Sequence, residues 1–409
     1  MIRTILIIIF LSVNLFGYSQ KKYTISGYIS DKNNGETIVG ANIYSSSNGK
    51  GVSSNTYGFY SLTLEEGLYE INYTFLGYKT EKKQIQLNKN IDLNIDLVTS
   101  SYTIEEVEVK GSSNIVQKTQ ASVIEVPIEQ IKSIPALFGE VDVLKAIQLL
   151  PGVQSSEGTS GFYVRGGGPD QNLILLDGVP VYNSSHLGGL FSVFNADAIR
   201  SVRLTKGGFP ARFGGRLSSV LEIDMKEGNN KKFKADATLG LISSKLTLEG
   251  PLIKNKSSFI VSGRRTYADL LMKPFMQNGE NEIDNFNLYF YDLNAKINHK
   301  ISKKDRVYIS AYIGDDIFNI KATESNKEEG KEPKSSGTES DNMRFQLGYG
   351  NITSTVRWNH LFNNKLFSNT TFTYSRYNFK TGFSLLSSRS NDTVYNENTQ
   401  TLNIGKSSE

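Results

Sequence analysis

Residues 161–216 read GFYVRGGGPDQNLILLDGVPVYNSSHLGGLFSVFNADAIRSVRLTKGGFPARFGGR. Eleven of these 56 residues are glycine, where average usage of about 7% gives roughly four. They cluster at Gly166-Gly167-Gly168, Gly188-Gly189, Gly207-Gly208 and Gly214-Gly215, with short β-rich runs between. Glycine alone adopts positive φ cheaply, so such clusters mark sharp turns and close backbone approach. The stretch predicts irregular backbone threaded through a tight space. Within it, Leu173 to Leu176 and Val179 to Tyr182 flank Asp177-Gly178. Two apolar runs split by Asp-Gly are a strong hairpin signal. Further strands are predicted at Ala198 to Thr205 and Ser218 to Met225.

Working outward, a short helix is predicted from Ile128, after Pro127. A second is predicted from Glu140 to Leu150, with Val141, Leu144 and Ile147 on one buried face. Pro151-Gly152 ends it.

Composition narrows the class. A chain of 409 residues is too long for one small core, so two or three domains are expected. It has no cysteine, which removes disulfides, thiolate metal sites and a lipoprotein acyl anchor. A net charge of +4 gives no electrostatic case for a nucleic-acid partner. Arg3, the apolar run Ile5 to Phe16, and Gly17 and Ser19 form a secretory signal peptide over residues 1–19. That run falls short of the roughly 20 residues a spanning helix needs.

Residues 20–98 carry short strands between frequent turn signals, which predicts a small β-sandwich. Ile91, Leu93, Ile95 and Leu97 alternate with polar residues as one half-buried strand. A linker follows at 99–111. In it Ile104, Glu105, Glu106, Val107, Glu108 and Val109 alternate apolar and acidic. They read either as one more edge strand or as a strand that a partner captures through main-chain hydrogen bonds.

Beyond residue 229 the period-two pattern dominates. Tyr289, Tyr291, Leu293, Ala295 and Ile297 alternate with Phe290, Asp292, Asn294, Lys296 and Asn298. Val307 to Gly314 and Ile352 to Trp358 repeat the pattern. A membrane β-barrel and a soluble antiparallel sheet share this period. The charged segment Lys321 to Asn342 is nearly free of apolar residues and reads as a long loop.

ISGYISDKNNGETIVGANIY and GVSSNTYGFYSLTLEEGLYEINYTFLGY resemble the carboxypeptidase regulatory-like domain, which implies a transthyretin-like accessory fold and no peptidase. None of His186, His299 and His360 is followed by Glu at a zinc-peptidase spacing. PALFGEVDVLKAIQLLPGV, FYVRGGGPDQNLILLDGVPVYN and SVRLTKGGFPARFGGRLSSVLEI resemble the plug domain of TonB-dependent outer-membrane receptors, over residues 112–228. The order of modules is similar to that in Bacteroidetes-type receptors.

The resemblance implies a mainly β protein: the sandwich, an α+β plug, then the first strands of an antiparallel transmembrane β-barrel over 229–409. It makes Ile104 to Val109 the TonB box, which pairs with the TonB energy-coupling protein. The plug motif is Arg165, Gly166, Gly167, Gly168, Asp177, Gly178, Lys206, Gly207, Gly208, Arg212, Gly214, Gly215 and Arg216. Arg165, Arg203, Arg212 and Arg216 are expected either to meet acidic residues of the barrel lumen or to be solvated. Six or seven strands are expected from Phe233 to Asn403, against about 22 in plugged transporters. The chain is therefore expected to be truncated at its C-terminus.

The implied function is import of a scarce nutrient of the siderophore, oligosaccharide, cobalamin or peptide class. Outer-membrane lipid, and for the glycan type a surface lipoprotein, are the further partners implied. Glu108 interrupts the hydrophobic run that type carries after its TonB box, which disfavours it. No catalytic residue, metal ligand or cofactor is expected, since no phosphate-loop pattern and no G-x-S-x-G elbow occurs. The alternatives are a surface binding or adhesion protein that does not transport, and a non-functional fragment of a receptor.

Overall fold

The computed structural model describes residues 21–100, 122–135, 139–156, 160–276, 283–328, 337–391 and 400–401. The expected signal peptide and TonB box lie outside the described residues.

The first unit is a sandwich. β1 (Lys22–Asp31), β2 (Asn42–Ser45), β3 (Gly51–Ser53), β4 (Phe59–Glu65), β5 (Gly67–Thr74), β6 (Glu81–Leu87), β7 (Ile91–Asp92) and β8 (Ile95–Leu97) form two sheets. One sheet is β4-β1 with β7 and β8 both parallel to β1, and the other runs β3-β2-β5-β6. Ile25, Ile29, Ile43, Leu64, Ile71, Tyr73 and Leu97 fill the space between them. The strand expected from Ile91 to Leu97 is split at Leu93-Asn94. There the Leu93 carbonyl accepts from the Tyr60 hydroxyl at 2.8 Å, and Asn94 Oδ1 accepts from the Tyr28 amide at 2.8 Å. These bonds divert the backbone, yet the alternation survives: Ile95 and Leu97 are buried and Asp96 is exposed.

The second unit begins with an α+β module. β9 (Val123–Pro127) leads into helix α1 (Ile128–Ser133), and helix α2 (Val143–Gln148) follows. The second helix starts three residues later than its periodicity implies. Asp142 takes the N-cap and accepts from the amides of Leu144 at 2.8 Å and Lys145 at 3.1 Å. That leaves Glu140 outside the helix.

Then come β10 (Val153–Ser155), β11 (Phe162–Val164), β12 (Asn172–Leu176), β13 (Val179–Pro180), β14 (Ser185–His186), β15 (Phe191–Ser192), β16 (Ile199–Thr205) and β17 (Ser219–Met225). Five of these strands form one sheet in the order β13-β12-β17-β16-β9. The predicted hairpin is present, with Leu176 opposite Val179. Asp177 and Gly178 have φ of 48° and 82°. Both central residues at positive φ match the primed turn that two-residue hairpins favour. Val143, Leu144 and Ile147 of α2 join Ile199, Val202, Leu204 and Leu221 in the core.

The rest of this unit is an up-and-down sheet, β18 (Lys234–Leu239), β19 (Ser243–Ile253), β20 (Ser257–Thr266), β21 (Ile283–Lys300), β22 (Asp305–Glu328), β23 (Gly337–Asn363), β24 (Leu366–Asn391) and β25 (Gln400–Thr401). Helix α3 (Ala268–Met276) follows β20. Among the described residues the sheet thus holds eight strands, each paired with its sequence neighbour. The segment expected as a loop from Lys321 to Asn342 is partly strand: β22 runs on to Glu328 and β23 resumes at Gly337. Thr323 Oγ1 donates to Asn342 Oδ1 at 2.8 Å. Lack of apolar residues denies a segment a core, but a ladder needs only backbone N–H and C=O.

Candidate functional site

The long sheet has its polarity reversed. In β21, Asp292, Asn294 and Lys296 are 2%, 2% and 4% exposed, while Leu293 and Ile297 are 44% and 43% exposed. β22 buries Tyr308, Ser310 and Tyr312 and exposes Ile309 and Ile313. β23 buries Asn351, Thr353 and Thr355 and exposes Ile352 and Val356. β19 buries Lys245 and Thr247 and exposes Leu246 and Leu248. A sheet in water turns its apolar row toward the core. Polar rows inside and apolar rows outside are the arrangement of a barrel wall in lipid.

The α+β module covers the polar row, and the contacts that involve charged side chains form three groups. In the first, the Lys245 ammonium lies 3.0 Å from Glu140 Oε2 and Arg264 Nη1 lies 3.5 Å from it. Ser243 also donates to Glu140. Arg264 donates to Asp292 Oδ2 from Nε at 2.7 Å and from Nη2 at 2.5 Å. The Tyr312 hydroxyl donates to Asp292 Oδ1 at 2.8 Å. His186 enters the same group: Nε2 lies 2.8 Å from Asp292 Oδ1 and Nδ1 lies 2.5 Å from Asp316 Oδ2. Its ring stacks on Phe290 with centroids 4.0 Å apart. The next two residues continue the attachment. The Leu187 amide donates to Asp316 Oδ1 at 2.8 Å, and the Gly188 amide to the Tyr349 hydroxyl at 2.6 Å.

The second group surrounds the hairpin tip. Lys296 meets the Asp177 carboxylate, the Met225 amide donates to Asp177 Oδ1 at 2.9 Å, and Arg357 Nη2 donates to the Asp177 carbonyl at 2.8 Å. Burial opposes a charged Asp177, but Lys296, Arg357 and the Met225 amide together outweigh it and hold its pKa below the usual value. In the third, Glu227 accepts from Arg200 at 3.0 Å and from Asn298 at 3.0 Å.

The buried pairs and the surface pairs differ in weight. An exposed pair such as Lys83–Glu81 contributes about 0–1 kcal/mol. Removing one partner from a buried pair strands a charge and costs about 3–5 kcal/mol. The attachment of module to sheet therefore rests on the buried groups.

The sequence-derived site residues fall in two places. Asp177 and Gly178 are at the attachment. Arg165, Lys206, Arg212 and Arg216 are on loops of the module, with Gly166, Gly167 and Gly168 in one turn and Gly207, Gly208, Gly214 and Gly215 in another. Of the two readings left open for the plug arginines, contact with wall carboxylates does not occur among the described residues. Arg203 and Arg212 lie 3.6 and 3.7 Å from Glu222 of the module itself. Arg216 donates to the neighbouring Gly215 carbonyl, and the Arg165 side chain is exposed. Outside the His186 contacts the signs run the other way: the module brings Glu140 and Asp177, and the wall brings Lys245, Arg264, Lys296 and Arg357. Sequence reading missed His186 and Glu140. A histidine beside Gly188-Gly189 was the available signal for the first. Among the described residues no cluster of His, Asp and Glu is arranged to hold a metal.

Residues 115–219 match the TonB-dependent receptor plug domain model. The chain carries a TonB-dependent receptor plug domain. Ahead of the plug domain, residues 25–109 match the CarboxypepD_reg-like domain model. No curated protein matches the chain. Among solved structures, the chain is similar to the siderophore receptor PirA from Pseudomonas aeruginosa, at 15% identity over 68% of this chain and 56% of that one, with a TM-score of 0.37. PirA from Acinetobacter baumannii is 14% identical over 68% and 55%, with a TM-score of 0.39. The outer membrane transporter YddB from Escherichia coli is 12% identical over 69% and 53%, with a TM-score of 0.36. The chain spans little more than half the length of these structures. The matched plug model describes a domain of receptors. No helix among the described residues is long and apolar enough to cross a membrane, which says nothing of a strand-built wall.

Proposed function

We propose that the chain acts as a TonB-dependent outer-membrane receptor that takes a scarce nutrient from the cell surface and passes it to the periplasm. The observation that supports this best is the reversed sheet with the plug on its polar side. An apolar outer row suits lipid, and a polar inner row suits a water-filled or plugged lumen. A plug held by ion pairs and hydrogen bonds can leave and return, because water re-solvates what the wall releases.

On this reading Ile104 to Val109 is the handle. The energy-coupling protein adds it as a strand to its own sheet and pulls. The pull reaches β9 first. Among the described residues β9 sits at one edge of the plug sheet and pairs with β16 alone, with Val123 opposite Thr205 and Pro127 opposite Ser201. Force applied at Val123 opens that ladder from one end, one residue pair at a time. The nutrient is of the siderophore, oligosaccharide, cobalamin or peptide class.

The test uses single cysteines at positions 104 to 109, which a cysteine-free chain allows. Each is exposed to the periplasmic domain of the coupling protein carrying a cysteine on its edge strand. Disulfide crosslinks at alternate positions, lost in Val107→Pro, are expected, since proline removes a backbone donor from the added strand. Absence of crosslinks at all six positions contradicts the reading.

A further inference from the structure

His186 has carboxylates on both sides. Nε2 meets Asp292 of β21, and Nδ1 meets Asp316 of β22. A neutral imidazole has one N–H and can satisfy only one of them. Asp292 is committed as an anion, because Arg264 and the Tyr312 hydroxyl already donate to it. The charges nearby agree. Three carboxylates, Glu140, Asp292 and Asp316, face two fixed cations, Lys245 and Arg264. A charged ring brings that sum to zero. The ring is 1% exposed and stacked on Phe290, so water does not complete the balance.

We propose that His186 is a charged pin: its imidazolium, clamped between Asp292 and Asp316, fastens the plug loop Ser185–Gly189 to two wall strands, and discharging it releases that loop from the wall. His186 is thus a positioning residue whose charge, rather than shape, holds the loop. The Leu187 and Gly188 amides, bound to Asp316 and Tyr349, are released with it.

The remaining titratable groups around the ring fit this role. Tyr312 on β22 shares Asp292, Tyr349 on β23 holds Gly188, and Asp315 on β22 interacts electrostatically with Lys380 of β24, with Asp316 and with His186. Burial works against the charged ring, but Asp292 and Asp316 outweigh it and raise its pKa above the ordinary value. The sign follows. The pin's contribution is complete below about pH 6.5, the unfolded value, and is lost as pH rises through the folded one. The loop therefore lifts on the alkaline side.

The test reads the ring nitrogens by ¹⁵N NMR in the full chain in lipid. With three histidines in the sequence, the variants H299Q and H360Q assign the signals. Both His186 nitrogens are expected to carry protons at about pH 7, with a midpoint above the ordinary value of about 6.5. An Nδ1 without a proton, or a ring that titrates at the ordinary value, overturns the proposal; the former puts the proton on Asp316. Hydrogen exchange at Leu187 and Gly188 supplies a second readout. H186Q is expected to speed it about a hundred-fold, because Asp316 is left as an uncompensated buried charge. H186Q combined with D316N is expected to recover most of that protection. Unchanged exchange in H186Q overturns the pin. If H186Q does not fold, the titration of the unsubstituted chain decides. The ring's charge is read with no solute present, so this test can fail without touching the transport reading.

Discussion

The Lys296 ammonium lies 3.0 Å from one carboxylate oxygen of Asp177 and donates to the other at 3.1 Å, joining the tip of the plug hairpin to the C-terminal part of β21. Both side chains are almost wholly buried, at 4% and 2% exposure. The pair ties a turn set by two adjacent residues to a wall strand 119 positions away.

Lys296→Met should destabilise the second unit by about 3–5 kcal/mol, because it leaves Asp177 buried without its cation. The double variant with Asp177→Asn should lose less than the two single losses combined, since the stranded charge goes too. Denaturant unfolding of all three variants in the same detergent checks this. Equal, additive losses contradict the pairing.

Acid should loosen the same tip. The folded pKa of Asp177 is depressed, so its contribution is complete above the unfolded value of about 3.9 and falls as pH drops through the folded one. The gap in unfolding midpoint between the unsubstituted chain and Asp177→Asn should therefore shrink below about pH 4. A gap that stays constant down to about pH 2 contradicts a depressed value.

In the sandwich, Gly27→Ala should be costly for steric reasons alone. A Cβ there would meet the Leu93 carbonyl oxygen at 2.0 Å, and neighbouring backbone cannot yield easily. Overpacking of this kind costs about 1–3 kcal/mol. Hydrogen exchange in β1 and β8 should rise in the variant, while exchange in β16 and β17 of the plug should not.

Much of the fold was legible in the sequence because it is locally encoded. Asp177-Gly178 determines its turn through two positive φ angles. The period of two along β21 to β23 follows from alternating faces, whichever way those faces point. The module order followed from linked motifs. What escaped depends on distance in the chain. His186 meets Asp292 and Asp316, 106 and 130 positions away, and no local pattern announces that meeting. Between the two readings of the plug arginines the sequence could not choose, because register sets which residues of β19 to β22 face the plug. The strand at Ile91 to Leu97 was read as continuous because its alternation persists through a break made by the Tyr60 hydroxyl and the Tyr28 amide. The charged stretch after Lys321 was read as loop because composition reports on burial, not on ladder formation.

The most direct test of the central claim asks what surrounds each row of the long sheet. The chain has no cysteine, so single cysteines carrying spin labels can be placed at Leu293, Ile309 and Val356, and at Asn294, Ser310 and Thr355. In the protein reconstituted in lipid, collisions with molecular oxygen, which partitions into lipid, and with a water-soluble nickel chelate are compared. High oxygen and low chelate accessibility are expected at the first three sites, and little of either at the second three. Chelate accessibility at Leu293, Ile309 and Val356 equal to that of an exposed sandwich site such as Lys83 would place that row in water and contradict the reading of the sheet as membrane wall.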